Sequence, residues 1–110
     1  MNLTNGAEMA NYVSTADTFL KRLKGLMFTE SLPAGHGLLI QPCQSIHTFF
    51  MNYSIDVLYL SENLEIVGMD EAIKPSKVGK YQKRACSVLE LPSGTIRETG
   101  TKIGHYLLTI

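Results

Sequence analysis

The chain has 110 residues, 45% apolar and 18% charged, with ten basic and ten acidic side chains that cancel. That length holds one domain with an ordinary hydrophobic core, and the composition excludes a disordered chain. Zero net charge with interspersed signs argues against a nucleic-acid partner, because phosphate neutralisation dominates such binding.

In chain order, residues 1–8 read as a flexible N-terminal arm, followed by a single domain over 9–110. The N-terminus has no basic region leading into an apolar run, and no apolar stretch approaches the roughly 20 residues that span a bilayer. The expectation is a cytoplasmic protein without membrane insertion. Met9 to Val13 predicts a short first strand. Ser14-Thr15-Ala16-Asp17 then offers helix-capping oxygens in a weak Ser-x-x-Asp box. Phe19, Leu20, Leu23, Leu26 and Met27 make an apolar helical stripe, with Lys21, Arg22 and Lys24 on the opposite face. Gly25 costs a helix about 1 kcal/mol against Ala. It therefore ends the helix early or admits a close backbone approach.

Thr29 to Gly37, with Pro33, Gly35 and Gly37, reads as a loop that exposes His36. Gly37 to Ile40 is a short buried strand stopped by Pro42. Ile46 to Met51 and Ile55 to Leu60 are the next strands, and Leu64 to Met69 returns as a hairpin partner through Ser61-Glu62-Asn63. Residues 70–84 read as a long polar loop. Its basic side chains, Lys74, Lys77, Lys80, Lys83 and Arg84, are expected to be solvated rather than to form a polyanion site. Cys86 to Leu91 is a further strand, Pro92-Ser93-Gly94 opens a helical turn that Gly100 closes, and His105 to Ile110 is a last strand.

This order gives an α+β fold: a small, mostly antiparallel, partly closed, barrel-like sheet with one main helix and a short second helix. A flat sheet covered by helices on one side is the alternative. Strand alternation places Asp56 with Leu58 and Leu60, and Glu90 with Cys86 and Val88. Each carboxylate then lies among apolar neighbours and needs a partner or a raised pKa. Hydrogen bonds from backbone or a pairing with Arg22 would give either one a purely structural role; in a pocket either one would serve as a general base or ligand anchor.

The ordered set of short stretches resembles the domain of unknown function 192 family, found in bacteria and archaea. It runs Ala16-Asp17-Thr18, Arg22-Leu23-Lys24-Gly25-Leu26-Met27, Gly37 to Ile40, Ile46-His47-Thr48-Phe49-Phe50-Met51-Asn52 and Ile55 to Leu60. Pro75, Val88-Leu89-Glu90-Leu91-Pro92-Ser93-Gly94 and Gly104 complete it. The resemblance implies a compact α+β domain rich in antiparallel sheet, with a bacterial source expected. It supplies no activity, cofactor or catalytic residue. The chain has Phe50 where many members have Trp, and His105 where an acidic residue often follows the last Gly.

Cys43 and His47, four residues apart at the entrance to an aromatic stretch, are the candidate catalytic pair. An imidazole beside a thiol lowers its pKa and makes a thiolate nucleophile or a redox-sensitive thiol, with Glu90, Asp56 or Asn52 to orient the ring. A metal site of Cys43 and His47 with Cys86 or His105 is a second possibility by ligand type. No cofactor is expected. There is no phosphate-binding glycine loop, zinc-protease motif or nucleophile elbow. The preferred function is non-catalytic: a cleft near Arg22, His47, Asp56 and Glu90, with Asn52 at its edge, binding a small ligand or a protein partner. A thiol-dependent enzyme or redox-sensitive protein using Cys43 with His47 is the alternative.

Overall fold

A computed structural model describes residues 1–108. Five strands form one mixed sheet in the order β1-β2-β5-β3-β4: Tyr12–Ala16, His36–Ile40, Ser87–Pro92, Ile55–Leu60 and Ile66–Ile73. β1 and β2 run parallel, while the pairs β2/β5, β5/β3 and β3/β4 are antiparallel. β1 and β4 are opposite edges, so the sheet is open. The barrel-like closure expected from the sequence does not occur.

The centre of the sheet is the most apolar part of the chain. Every residue of β3 is buried, as a strand covered on both faces must be. Leu58 and Leu60 join Leu89, Leu91, Ile66, Ile96 and Met9 in one cluster. Ile55, Val57 and Tyr59 join Val88, Ile46, Met51 and Leu26 in another on the opposite face. Both faces are therefore covered, rather than one. The first cluster is closed by α2 (Thr95–Thr99), the second by Leu26, just past the end of α1 (Phe19–Lys24), and the irregular segment that follows β2.

Several boundaries differ from the sequence expectation. β1 starts three residues later than Met9, because its pairing with His36 to Ile40 sets its register. Ser14 to Ala16 therefore belong to the strand, and the helix cap moves to Thr18, whose Oγ1 accepts the Lys21 N–H at 3.2 Å. α1 spans six residues and ends at Gly25. The expected apolar stripe does not face the core: Leu20 is 73% and Leu23 54% exposed, and Leu26 alone of the stripe's leucines is buried.

Ile46 to Met51 is not a strand. Ile46 and Thr48 are buried, but Phe50 takes a positive φ of 60° and the chain turns there. Phe49 and Phe50 are left exposed and Met51 returns to the core, which breaks the expected two-residue alternation. β4 runs on to Ile73, into the expected loop. His36 opens β2 half-buried and stacks on Tyr12 with ring centroids 5.1 Å apart.

Within residues 1–8, Asn2 is fully buried. Its amide donates to Thr101 Oγ1 at 3.2 Å, and its backbone bridges to Leu107. The C-terminal segment forms isolated bridges at Tyr106 and Leu107 rather than a strand, and residues 109 and 110 of its expected span lie outside the described residues.

Candidate functional site

β5 supplies the floor of the site. Glu90 pairs across the sheet with Val57 on one side and Leu38 on the other, so its side chain shares the face of Val57 and Val88, beneath α1. It is 2% exposed, and its Oε1 has no hydrogen-bond partner. Burial pushes the carboxyl up to about 8, since an apolar setting disfavours the charged form. At neutral pH it is a protonated acid. The Arg22 pairing that would have made it structural is absent: Arg84–Glu65 is the one ion pair among the described residues.

α1 closes over this carboxyl at its C-terminal end. Gly25 has φ 48°, and a Cβ there would sit 3.6 Å from Glu90 Oε1. The glycine ends the helix in a positive-φ conformation, and at 3.6 Å a Cβ would make only an ordinary contact with the acid, so the helix end rather than a close approach accounts for it. Arg22 and Leu26, one turn apart, face inward in place of the leucine stripe. Between them and Glu90 lies a cavity of about 50 Å³, also lined by Cys43, Ser45 and His47. It has room for a few waters, or for one small polar group.

The segment 43–48 is positioned by Thr48. This fully buried hydroxyl donates to the Lys74 carbonyl at 2.6 Å and accepts the Lys77 N–H at 2.8 Å. The backbones of Ile46 and Thr48 are hydrogen-bonded to Gly79 and Lys77. Gly79 in turn passes over Tyr59, whose hydroxyl donates to Asp70 Oδ2 at 2.7 Å; a Cβ on Gly79 would lie 2.5 Å from that hydroxyl. Thr48, Gly79, Tyr59 and Asp70 are supporting residues that sequence reasoning missed. Asp70 falls at the start of the expected polar loop, so nothing local marks it, and its pairing with Tyr59 needs the β3/β4 register.

Cys43 and His47 both reach the cavity, and each is hydrogen-bonded to backbone rather than to the other. The Cys43 thiol donates to the Ser45 carbonyl at 2.9 Å. Burial raises its pKa, an effect only partly offset by that hydrogen bond. His47 Nδ1 accepts the Phe49 N–H at 3.2 Å, which leaves Nε2 as the N–H that points to the Leu23 carbonyl at 3.4 Å. Both ring nitrogens are thus engaged by backbone, and the thiol lacks the stabilisation a nucleophile needs.

Asp56 is separated from the others by the sheet. It lies on the α2 face, where its carboxylate accepts the N–H groups of Ala72 (2.8 Å), Gly94 (3.1 Å) and Ile96 (2.8 Å). This hydrogen-bonded carboxyl group ties β3 to β4 and to the start of α2, the structural role expected of a buried side chain satisfied by backbone. Asn52 is exposed, and its amide donates to the Thr29 carbonyl at 2.8 Å, away from the cavity. The expected cleft therefore contains Arg22, His47 and Glu90 with Cys43, but not Asp56 or Asn52. Among the described residues, no three His, Cys, Asp or Glu side chains come together as a metal site. His105 contacts Asn2 and Lys102, near the chain termini.

Residues 1–109 match a single family, described as "Uncharacterized ACR". The chain belongs to the domain of unknown function 192 family. A protein of Pyrococcus furiosus named for an uncharacterised family, UPF0127, is 32% identical over 97% of this chain and 94% of its own length. A UPF0127 protein of Thermococcus sibiricus is 36% identical over 94% of this chain and 70% of its own. These relatives are archaeal, which corrects the bacterial expectation.

Two crystal structures share the fold. One, from Sinorhizobium meliloti, is described provisionally as a transcription regulator; it superposes with a TM-score of 0.78 at 22% identity, covering 86% of this chain and 78% of its own. The other, a protein of unknown function from Novosphingobium aromaticivorans, has a TM-score of 0.78 at 19% identity, with 86% and 71% coverage. At such identities the likeness concerns the fold alone. Among the described residues no helix is long and apolar enough to cross a membrane.

Proposed function

We propose that this domain is a binding module whose site is the Glu90 cavity beneath the C-terminal end of α1. The observation that carries this reading is the Glu90 Oε1, buried and without a partner at a cavity that Arg22, Cys43 and His47 also line. A buried acid with a vacant hydrogen-bonding position costs free energy that an apolar side chain would not. A ligand group that fills the cavity would satisfy it. The cavity's volume, about 50 Å³, suits the tip of a small molecule and is below the 300 Å³ or so of a typical drug-sized pocket. The partner is therefore read as a small molecule rather than a nucleic acid, and the compartment as the cytoplasm, in keeping with two free thiols.

The test is a fragment titration followed by NMR on the isotopically labelled chain, using a mixture of small amines, amides and carboxylic acids. Shift changes are expected at Leu23 to Met27, Ser45 to His47 and Glu90, and their loss is expected in Glu90→Ala. Changes scattered elsewhere, or unaltered in that variant, would show that the cavity is not the binding site.

A further inference from the structure

The lining of the cavity carries more information than its size. We propose that its ligand is a small monocarboxylate with an apolar tail, held by its carboxylate between the Glu90 carboxyl and the Arg22 guanidinium. This inference rests on the Glu90 cavity being the binding site.

Charge and shape both favour this class. Glu90 is the one acid lining the cavity, and the basic residues Arg22 and Lys24 line it too. α1 carries Lys21, Arg22 and Lys24 and has no acid in its first turn. An ammonium ligand would enter against three cations and meet a neutral acid. A carboxylate would accept the Glu90 O–H and the Arg22 N–H groups, both charge-assisted bonds. The cavity admits such a head group but no tail. Leu23 lines its mouth, and Leu20 one turn earlier and Phe49, stacked on His47 at 5.5 Å, are exposed with it. These surfaces suit a short apolar tail, and they include the leucines that the helix does not use for its own core.

The pH dependence follows from the groups facing Glu90. They are Arg22 and Lys24 from α1, Cys43 and His47 from the segment after β2, and Tyr59 from β3, which is bonded to Asp70. Burial and Asp70 push the Tyr59 hydroxyl up, and burial raises the Cys43 thiol above its ordinary 9.0. As pH rises from neutral, Glu90 at about 8 is the first of the raised groups to ionise. Two facing carboxylates repel, so affinity falls about tenfold for each pH unit above about 8.

The experiment is calorimetric titration of the full chain with hexanoate and with hexylammonium across that pH range, with NMR to locate the bound probe. Hexanoate is expected to bind at the cavity and to weaken with rising pH as stated. Cys43→Ser should keep that slope, and Glu90→Gln should bind hexanoate without it, because the amide donates at every pH. Arg22→Gln should weaken binding about tenfold. Preference for hexylammonium at the same residues, or hexanoate binding that strengthens with pH, would overturn the carboxylate class and leave the site standing. If neither probe perturbs the cavity this inference fails, whereas the site itself fails only if the fragment mixture also misses it.

Discussion

Replacing Glu90 by Gln isolates the energetic consequence of burying an acid. The folded carboxyl loses its proton near pH 8, against an ordinary value of 4.5. Between those values the folded chain holds a proton that the unfolded chain has released. The sign follows directly: this stabilising proton uptake is fully present below about 4.5 and is lost as pH rises to about 8. The slope is about 1.4 kcal/mol per pH unit, and the whole effect is on the order of 5 kcal/mol. Small domains have a net stability of roughly 5–15 kcal/mol, so the change is a large fraction of the total. Glu90→Gln removes the titrating group and keeps the side chain's shape. Urea unfolding of both proteins at intervals from about pH 5 to 9 measures the difference, in which the other titrating groups cancel. The wild type should lose stability relative to the variant through the window and then level off. Parallel profiles, with a difference constant to about 0.5 kcal/mol, would show Glu90 to be ionised in the fold and would remove the basis of the site.

Asp56→Ala should cost about 3–5 kcal/mol by urea unfolding, since three backbone N–H groups, that of Ile96 buried and the other two partly so, lose their acceptor; a loss under about 1 kcal/mol would contradict its structural role. Gly79→Ala should cost about 1–3 kcal/mol, because the new Cβ drives the Tyr59 hydroxyl off Asp70. A Tyr59→Phe background should reduce that cost, which a double-mutant cycle would detect. Cys43 should alkylate more slowly than the exposed Cys86 at about pH 8, given its burial and raised pKa; peptide mass spectrometry after timed iodoacetamide treatment reads the two rates, and a faster Cys43 would restore the nucleophile reading. Leu20→Lys should leave stability within about 0.5 kcal/mol of wild type, because the side chain already faces solvent.

Local chemistry alone determined a good part of this protein. The runs at Gly37–Ile40, Ile55–Leu60 and Cys86–Leu91 are strands to within a residue or so, because their apolar and β-branched content has no other way to be buried. Gly25 marked the end of α1, and alternation put Glu90 on the face of Val88. The two phenylalanines after Thr48 defeated the same reasoning, since a positive φ at Phe50 turns the chain where alternation predicted a strand. A six-residue helix has little stability of its own. Its orientation is decided by what it packs on: Gly25 against Glu90 turns Arg22 inward and leaves Leu20 and Leu23 outside.

The two carboxylates make the division clearest. Sequence parity showed that each shares a face with apolar residues of its own strand, but parity within one strand carries no information about the next. The register that sets Val57 opposite Glu90 sends Asp56 to the other side of the sheet. There three N–H groups converge on Asp56, while Glu90 lies at a cavity with an oxygen unmatched. Cross-strand hydrogen bonding joins residues distant in the chain, so only the tertiary structure decided which acid became part of the scaffold and which kept an oxygen without a partner.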